Sequence, residues 1–286
     1  MRHLVFFATA TAFLLPSAAS AKESTTLKPS SNWNVDYGAQ TCRLSRLFGE
    51  GDNRHLIYFE QWGPSSSFGF TASGKGLNRF RPSRPTYLQI NDDQERVKVR
   101  PMIGNVEQVG KAIIFSNLGL ADSKQASEEG SGDTNASIPQ LDTQKAGEVR
   151  YIAFTQGSQK VLFETGDLDE AFKVLNQCSQ SLITEWGLDL EQHKQRSRDV
   201  IWLNKTTVVR RITDIYPSSA RNRGEQGIVR LRVIVDENGK VTECFIGKVT
   251  DKKSSNLLPV DPCSKQNLNP PSTRMESRCA PITKPA

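Results

Sequence analysis

Through most of the chain, apolar and polar positions alternate in short runs broken by Gly, Pro, Asn and Asp. That texture predicts strands. The runs are Leu56 to Gln61, Ser67 to Ala72, Thr86 to Ile90, Val97 to Met102 and Lys111 to Ser116, then Val149 to Phe154 and Lys160 to Phe163. Short strands separated by turn signals predict a mainly antiparallel sheet domain. A different period enters at Leu168. Leu168, Ala171, Phe172, Leu175, Cys178, Leu182 and Trp186 recur at helical spacing and build one apolar face. Asp167 with Glu170 three residues on reads as a capping box, and Gly187 as the stop.

The period changes again near the C-terminus. Pro217 suits the first turn of a short helix over Ser218 to Arg223, which Gly224 ends. After Gly227, Val229, Leu231, Val233 and Val235 alternate with Arg230, Arg232, Ile234 and Asp236. This pattern predicts a half-buried antiparallel strand with its valine face inward and its arginine face in water. Asn238-Gly239 is a type I′ hairpin signal, because both central residues of that turn need positive φ, and Val241 to Ile246 returns as the partner strand.

These elements define an α+β chain of 286 residues, a length that suits two domains. Residues 1–21 carry Arg2 and His3, an apolar run from Leu4 to Leu15, Pro16, and Ala19-Ser20-Ala21, the pattern of a signal peptide cleaved after Ala21. The alternative is an uncleaved anchor, for which the run falls short of the about 20 apolar residues that span a bilayer. Residues 22–32 read as a flexible leader. Residues 33–189 read as a β-rich N-terminal domain closed by one C-terminal helix, with a disordered insertion over 122–143 rich in Ser, Gly, Gln and acids. Residues 190–206 form a linker whose Lys194, Arg196 and Arg198 make a solvated basic face or, alternatively, touch phosphate or lipid. Residues 207–286 hold the small helix-and-hairpin domain, with an irregular, Pro-rich tail from about 248.

Composition narrows the setting. The chain is 36% hydrophobic with a formal charge of +6, which becomes +5 once Arg2 leaves with residues 1–21. In an exported chain this basic balance favours anionic envelope surfaces or acidic peptide segments over nucleic acid. All five cysteines, Cys42, Cys178, Cys244, Cys263 and Cys279, lie beyond residue 21. An oxidising compartment makes disulfides the expectation and leaves one thiol over. Cys178 sits on the apolar helix face with Cys42 as the other cysteine of that half, the alternative being a lone buried thiol. Cys244 lies within reach of Cys263, with Cys279 as the spare. With no C-x-x-C, and His55 and His193 as the histidines beyond residue 21, neither a metal nor a cofactor is expected.

Tyr216 to Cys244 resembles the TonB C-terminal domain family. The resemblance rests on Tyr216-Pro217, Ala220, Gly224, Gly227-x-Val229, Val233, Val235, Asn238-Gly239 and Val241. It covers about thirty residues, or about eighty if the tail belongs to the same domain. Two further segments, T-C-R-L-S-R-L-F-G at Cys42 and C-S-Q-S-L-I-T-E-W-G-L-D at Cys178, resemble exported proteobacterial proteins that carry such a tail. The resemblance implies a periplasmic, non-enzymatic protein. Its domain would grip a peptide segment of an outer-membrane receptor or other envelope partner by β-strand addition, in TonB-dependent transport or a related role. It makes Tyr216, Pro217, Arg230 and Arg232 the candidate partner-contact residues, the alternative being a helix start and a soluble strand face. The chain departs from the family in lacking a Pro-rich spacer. It also departs after Ile246, where the family has a further helix and strand and this chain has a Pro-rich tail, so the domain is cut short or altered.

Other chemistry has little support. Gly69 to Gly76, G-F-T-A-S-G-K-G, nearly spells a phosphate-binding loop, but Gly76 replaces the metal-binding hydroxyl residue and no helix pattern follows; a loop between strands is the simpler reading. His55 and His193 stand in polar surroundings, as surface residues would. Asp167, Asp169 and Glu170 suit a helix N-terminus. The alternatives to peptide docking are an exported enzyme with a site in residues 33–190 and a structural, disulfide-stabilised envelope protein.

Overall fold

The computed structural model describes residues 23–120, 138–195, 200, 205–214, 216–236 and 240–248. The chain is α+β, with thirteen strands and five α-helices among these residues. Strands β1 (Glu23–Leu27), β2 (Asn34–Tyr37), β3 (Cys42–Phe48), β4 (His55–Gln61), β5 (Phe68–Gly74), β6 (Thr86–Ile90), β7 (Val97–Val99), β8 (Met102–Val106) and β9 (Gly110–Leu118) come first. Helix α1 (Thr143–Glu148), strands β10 (Ile152–Gln156) and β11 (Gln159–Phe163), and helices α2 (Asp169–Glu185) and α3 (Leu190–Lys194) follow. The C-terminal part holds α4 (Lys205–Asp214), α5 (Ser218–Asn222), β12 (Val229–Val235) and β13 (Val241–Lys248).

Two sheets make the N-terminal domain. One runs β2-β3-β4-β5-β9-β8, the other β1-β11-β10-β6-β7, and every pair is antiparallel except β1 with β11. Aromatic rings join the sheets across the core. Phe154 of the five-stranded sheet lies 5.5 Å from Phe70 and 5.3 Å from Phe115, and Phe163 lies 5.4 Å from Phe48. Such pairs add about 0.5–1.5 kcal/mol each beyond their buried area. Helix α2 closes the domain, with Phe172 packed 5.1 Å from Phe59 and 5.6 Å from Phe68.

The structure differs from the sequence reading at several points. Residues 23–27, read as leader, form β1, because Thr25 and Leu27 alternate inward and Leu27 is buried. Residues 138–143, read as insertion, are packed: Ile138 and Leu141 are buried, and Asn176 of α2 clamps Leu141 through both its amide atoms, at 2.8 and 3.0 Å. The run Val97 to Met102 splits between the two sheets at Pro101, which has no N–H for a ladder. Asp167 accepts from the Asp169 N–H at 2.7 Å, while Glu170 pairs with Lys173, so the expected capping box does not form. The stop at Gly187 holds: Gly187 N–H donates to Thr184 and Leu188 N–H to Ile183. Within the linker, α3 forms over Leu190–Lys194.

Cys42 and Cys178 are bonded across 136 residues, fastening β3 to the middle of α2. Cys244 is also disulfide-bonded. Cys263, Cys279 and Asn238-Gly239 lie outside the described residues, as do residues 1–22.

His55 is fully buried, contrary to the surface role read from its neighbours. Its Nδ1 lies 2.7 Å from the Asn53 carbonyl and must donate, while Nε2 accepts the Gly76 N–H at 2.9 Å. The Gly69–Gly76 stretch is therefore strand β5 plus a turn folded onto an imidazole, and the Gly76 amide is spent on histidine. A Cβ at Gly74, whose φ is +143°, or at Gly76 would stand 2.8 Å from Nε2.

Two outcomes are expected. Replacing Cys42 and Cys178 by Ser should lower the unfolding free energy by about 2–5 kcal/mol in urea melts. Burial also holds the His55 pKa below its usual value. A depressed folded-state pKa gives stability that is complete above the unfolded-state value and is lost as pH falls through the folded one. Unfolding free energy measured from about pH 7.5 to 5 should fall more steeply for the native chain than for His55→Gln.

Candidate functional site

The helix-and-hairpin segment is built around Ala220, which is fully buried in α5. Tyr216 and Pro217 lead into that helix. The Tyr216 N–H bonds Thr213 at 3.2 Å, and its hydroxyl donates to the Glu225 carbonyl at 2.7 Å, beyond the far end of α5. Pro217 stands one position ahead of the first helical residue. Gly224, at φ +66°, turns the chain, and Glu225 N–H closes back on the Ala220 carbonyl at 3.0 Å. Helix α4, unread in the sequence, precedes this turn.

Strands β12 and β13 pair antiparallel with Arg230 opposite Gly247, Arg232 opposite Phe245 and Ile234 opposite Glu243. Those six residues share one face. Leu231, Val233, Val235, Val241 and Cys244 lie on the other, each half-buried. Among the described residues the two strands form a sheet of their own, and neither outer edge is paired.

The arginine face is seated on the N-terminal domain. On the outer face of the six-stranded sheet, Arg43, Glu60 and Gly69 form a row across β3, β4 and β5. Arg230 lies over that row and donates from Nη2 to the Ser116 carbonyl of β9 at 2.7 Å; the same Nη2 would stand 3.4 Å from a Cβ at Gly69. Glu60 is buried and accepts from Arg43 at 2.7 Å and from the Trp62 indole N–H at 2.9 Å. Burial lowers the Arg230 pKa, partly offset by the Glu60 charge. For Arg43, burial is the largest influence and acts downward, but the Glu60 hydrogen bond and charge together leave the pKa raised.

Arg232 makes the second anchor. Its guanidinium sits 4.0 Å from the centre of the Trp186 ring and 4.8 Å from that of Phe245, and Nη1 donates to Gln40 Oε1 at 2.6 Å. Burial lowers its pKa too, against the Glu243 carboxylate 3.9 Å away. Both arginines stay charged, since guanidinium holds its proton throughout the working range of pH. Trp62 covers Gly247 so closely that a Cβ there would stand 2.9 Å from its Cη2.

The four expected partner-contact residues therefore occupy two places. Tyr216 and Pro217 shape the turn into α5; Arg230 and Arg232 lie against the sheet domain. The outward, wet strand face read from the sequence is a seat. Its other side, Glu60, Trp62, Gln40, Trp186 and Ser116, carried no sequence signal, and Trp186 read only as the last member of a helix face.

Elsewhere, a cleft of about 180 Å³ is lined by Phe68, Leu141 and Phe172, with the Asp142–Lys145 pair at 4.0 Å; neither histidine nor cysteine lines it. Among the described residues, no cluster of three metal-ligating side chains forms, and no helix is long and apolar enough to cross a membrane.

A double-mutant cycle of Arg232→Ala and Trp186→Ala should show coupling of about 1 kcal/mol in urea unfolding of the full chain. Gly247→Val should perturb Trp62 fluorescence while leaving the N-terminal sheet signal in circular dichroism intact.

Comparison with curated proteins and with solved structures finds no match. Comparison with protein families does. The segment that carries α5, β12 and β13 matches, over residues 214–255, the family described as the Gram-negative bacterial TonB protein C-terminal, a non-enzymatic, envelope-associated domain family of transport, and that segment of the chain is assigned to it.

Proposed function

We propose that this protein works in the periplasm as a TonB-like docking module. It binds an extended peptide segment of an outer-membrane or other envelope partner by adding it as a strand to the β12–β13 hairpin. The carrying observation is the two-stranded sheet inside the family-matched segment, whose outer edges pair with no strand among the described residues. An unpaired edge presents alternating N–H and C=O groups, and an extended chain satisfies them at little cost in ordering the protein.

The seat supports this reading in a second way. With the arginine face held on the sheet domain, an incoming strand meets the hairpin side-on and need not displace Arg230 or Arg232. We assign these two arginines the role of coupling an occupied edge to the N-terminal domain. Tyr216 and Pro217, at the turn into α5, are assigned a share of the partner contacts. The export reading of residues 1–21 fits the cross-link between Cys42 and Cys178, since such bonds persist in oxidising compartments.

A synthetic peptide of the receptor segment that the family grips should bind the full chain in calorimetry and slow amide exchange along β12 or β13. Methylating one ladder N–H of the peptide should weaken binding up to about tenfold, the equivalent of one backbone hydrogen bond, while methylating its neighbour should not. Equal tolerance at both positions would exclude strand addition.

A further inference from the structure

We infer that residues 75–84, the loop from β5 to β6, form a docking surface for the phosphate headgroups of an anionic lipid membrane. Its sequence, K-G-L-N-R-F-R-P-S-R, holds Lys75, Arg79, Arg81 and Arg84 without a carboxylate. All four cationic residues are exposed.

The loop is fixed in shape. Leu77 and Phe80 are fully buried beneath it. Gln156 of β10, itself buried, accepts the Arg81 N–H at 2.8 Å and donates to the Arg81 and Arg84 carbonyls at 2.9 and 3.2 Å and to Thr86 Oγ1 at 2.8 Å. The cations thus stand on a preorganised frame, which lowers the ordering cost of binding.

Two cations are also brought together. Arg81 Nη1 donates to the carbonyls of Asn78 and Phe80 at 2.8 and 3.2 Å, and Lys111 Nζ of β9 donates to the same two oxygens at 3.0 and 2.7 Å. Burial and the Arg81 charge lower the Lys111 pKa. Shared carbonyls soften this like-charge contact without neutralising it, so an arriving anion gains from both groups. Among the described residues, neither Arg81 nor Arg84 has a carboxylate partner, and the Lys75–Asp52 pair, at 3.3 Å with both side chains open to solvent, is worth little.

The arrangement suits a surface better than a small anion. The cations are spread along ten residues of the loop, with residues 81–85 all exposed, and none of them lines the cleft at Phe68, Leu141 and Phe172. A plane of headgroups can meet them together, whereas one phosphate would reach two. The loop leaves β5 at Gly74, while the hairpin seat lies at the Gly69 end of the same strand. The five residue steps between them span about 17 Å. Membrane contact and the hairpin edge are thus separate, and this inference does not rest on peptide docking.

The test is sedimentation of the full chain with vesicles of phosphatidylglycerol and phosphatidylcholine, against phosphatidylcholine alone. Binding should require phosphatidylglycerol and weaken as ionic strength rises from about 0.01 to 0.15 M, where screening shortens from about 30 to 8 Å. Arg81→Gln and Arg84→Gln should each lower the partition coefficient about fivefold at low salt. Arg84→Gln is the cleaner variant, because its side chain makes no hydrogen bond or ion pair among the described residues; an unchanged melting temperature would show its fold intact. Equal binding to phosphatidylcholine, which would report the apolar run over residues 4–15, would overturn the inference. So would indifference to both substitutions, or binding to polyglutamate without binding to vesicles.

Discussion

The bond between Cys42 and Cys178 fixes more than the domain it closes. Gln40 stands two residues before Cys42, and Trp186 lies about two helical turns beyond Cys178. Arg232 touches both, 2.6 Å from the Gln40 side chain and 4.0 Å from the Trp186 ring centre. Gln40, in the turn that leads into β3, and Trp186, at the C-cap of α2, come from opposite ends of the N-terminal domain's sequence. Without the covalent tie their separation would depend on apolar packing and a few polar contacts, such as the Arg46 hydrogen bond to the Thr165 carbonyl. With it, an amide oxygen and an indole face are held at the spacing one guanidinium needs. The cross-link thus connects the aromatic core, through β3 and α2, to the position of the hairpin.

The seat is held by few contacts, and they are imperfect. Arg230 Nε, Arg232 Nε and Trp186 Nε1 are buried without an acceptor. A buried donor left unpaired costs about 1–3 kcal/mol in the absence of bridging water. Those costs offset the cation–π contact, worth about 2 kcal/mol when desolvated, and the two direct hydrogen bonds. The net attraction is modest, as expected where a small module rests on a larger one. Close approach at Gly247 and Gly69 supplies fit that energy alone would not give.

Much of the architecture was legible because period and punctuation agree. Thr86–Ile90 and the start of β13 follow from alternation, α2 from its apolar stripe, and the short helix from Pro217 and Gly224. Three things were not legible, for different physical reasons. Leu27 buries a strand that Ser24, Thr25 and Thr26 disguise as polar leader, because a parallel edge strand of five residues needs only one large apolar side chain inward. His55 looked exposed because Asn53 and Arg54 precede it, yet the carbonyl and amide that satisfy its ring come from the backbone, which has no sequence signature. Arg230 and Arg232 looked solvated because alternation says which residues share a face and not what that face meets. Their partners are 114 and 192 residues away.

That last failure bears on function. A strand of alternating valine and arginine suggests a buried apolar side and a free charged side. Here the charged side is spent on anchorage, the apolar side carries a cystine, and what remains available is the backbone of the edge. A peptide captured there would be selected first by its ability to extend, and only secondarily by its side chains. Force applied to such a strand would load the ladder, then the Arg232–Trp186 stack, then α2 and the cystine behind it.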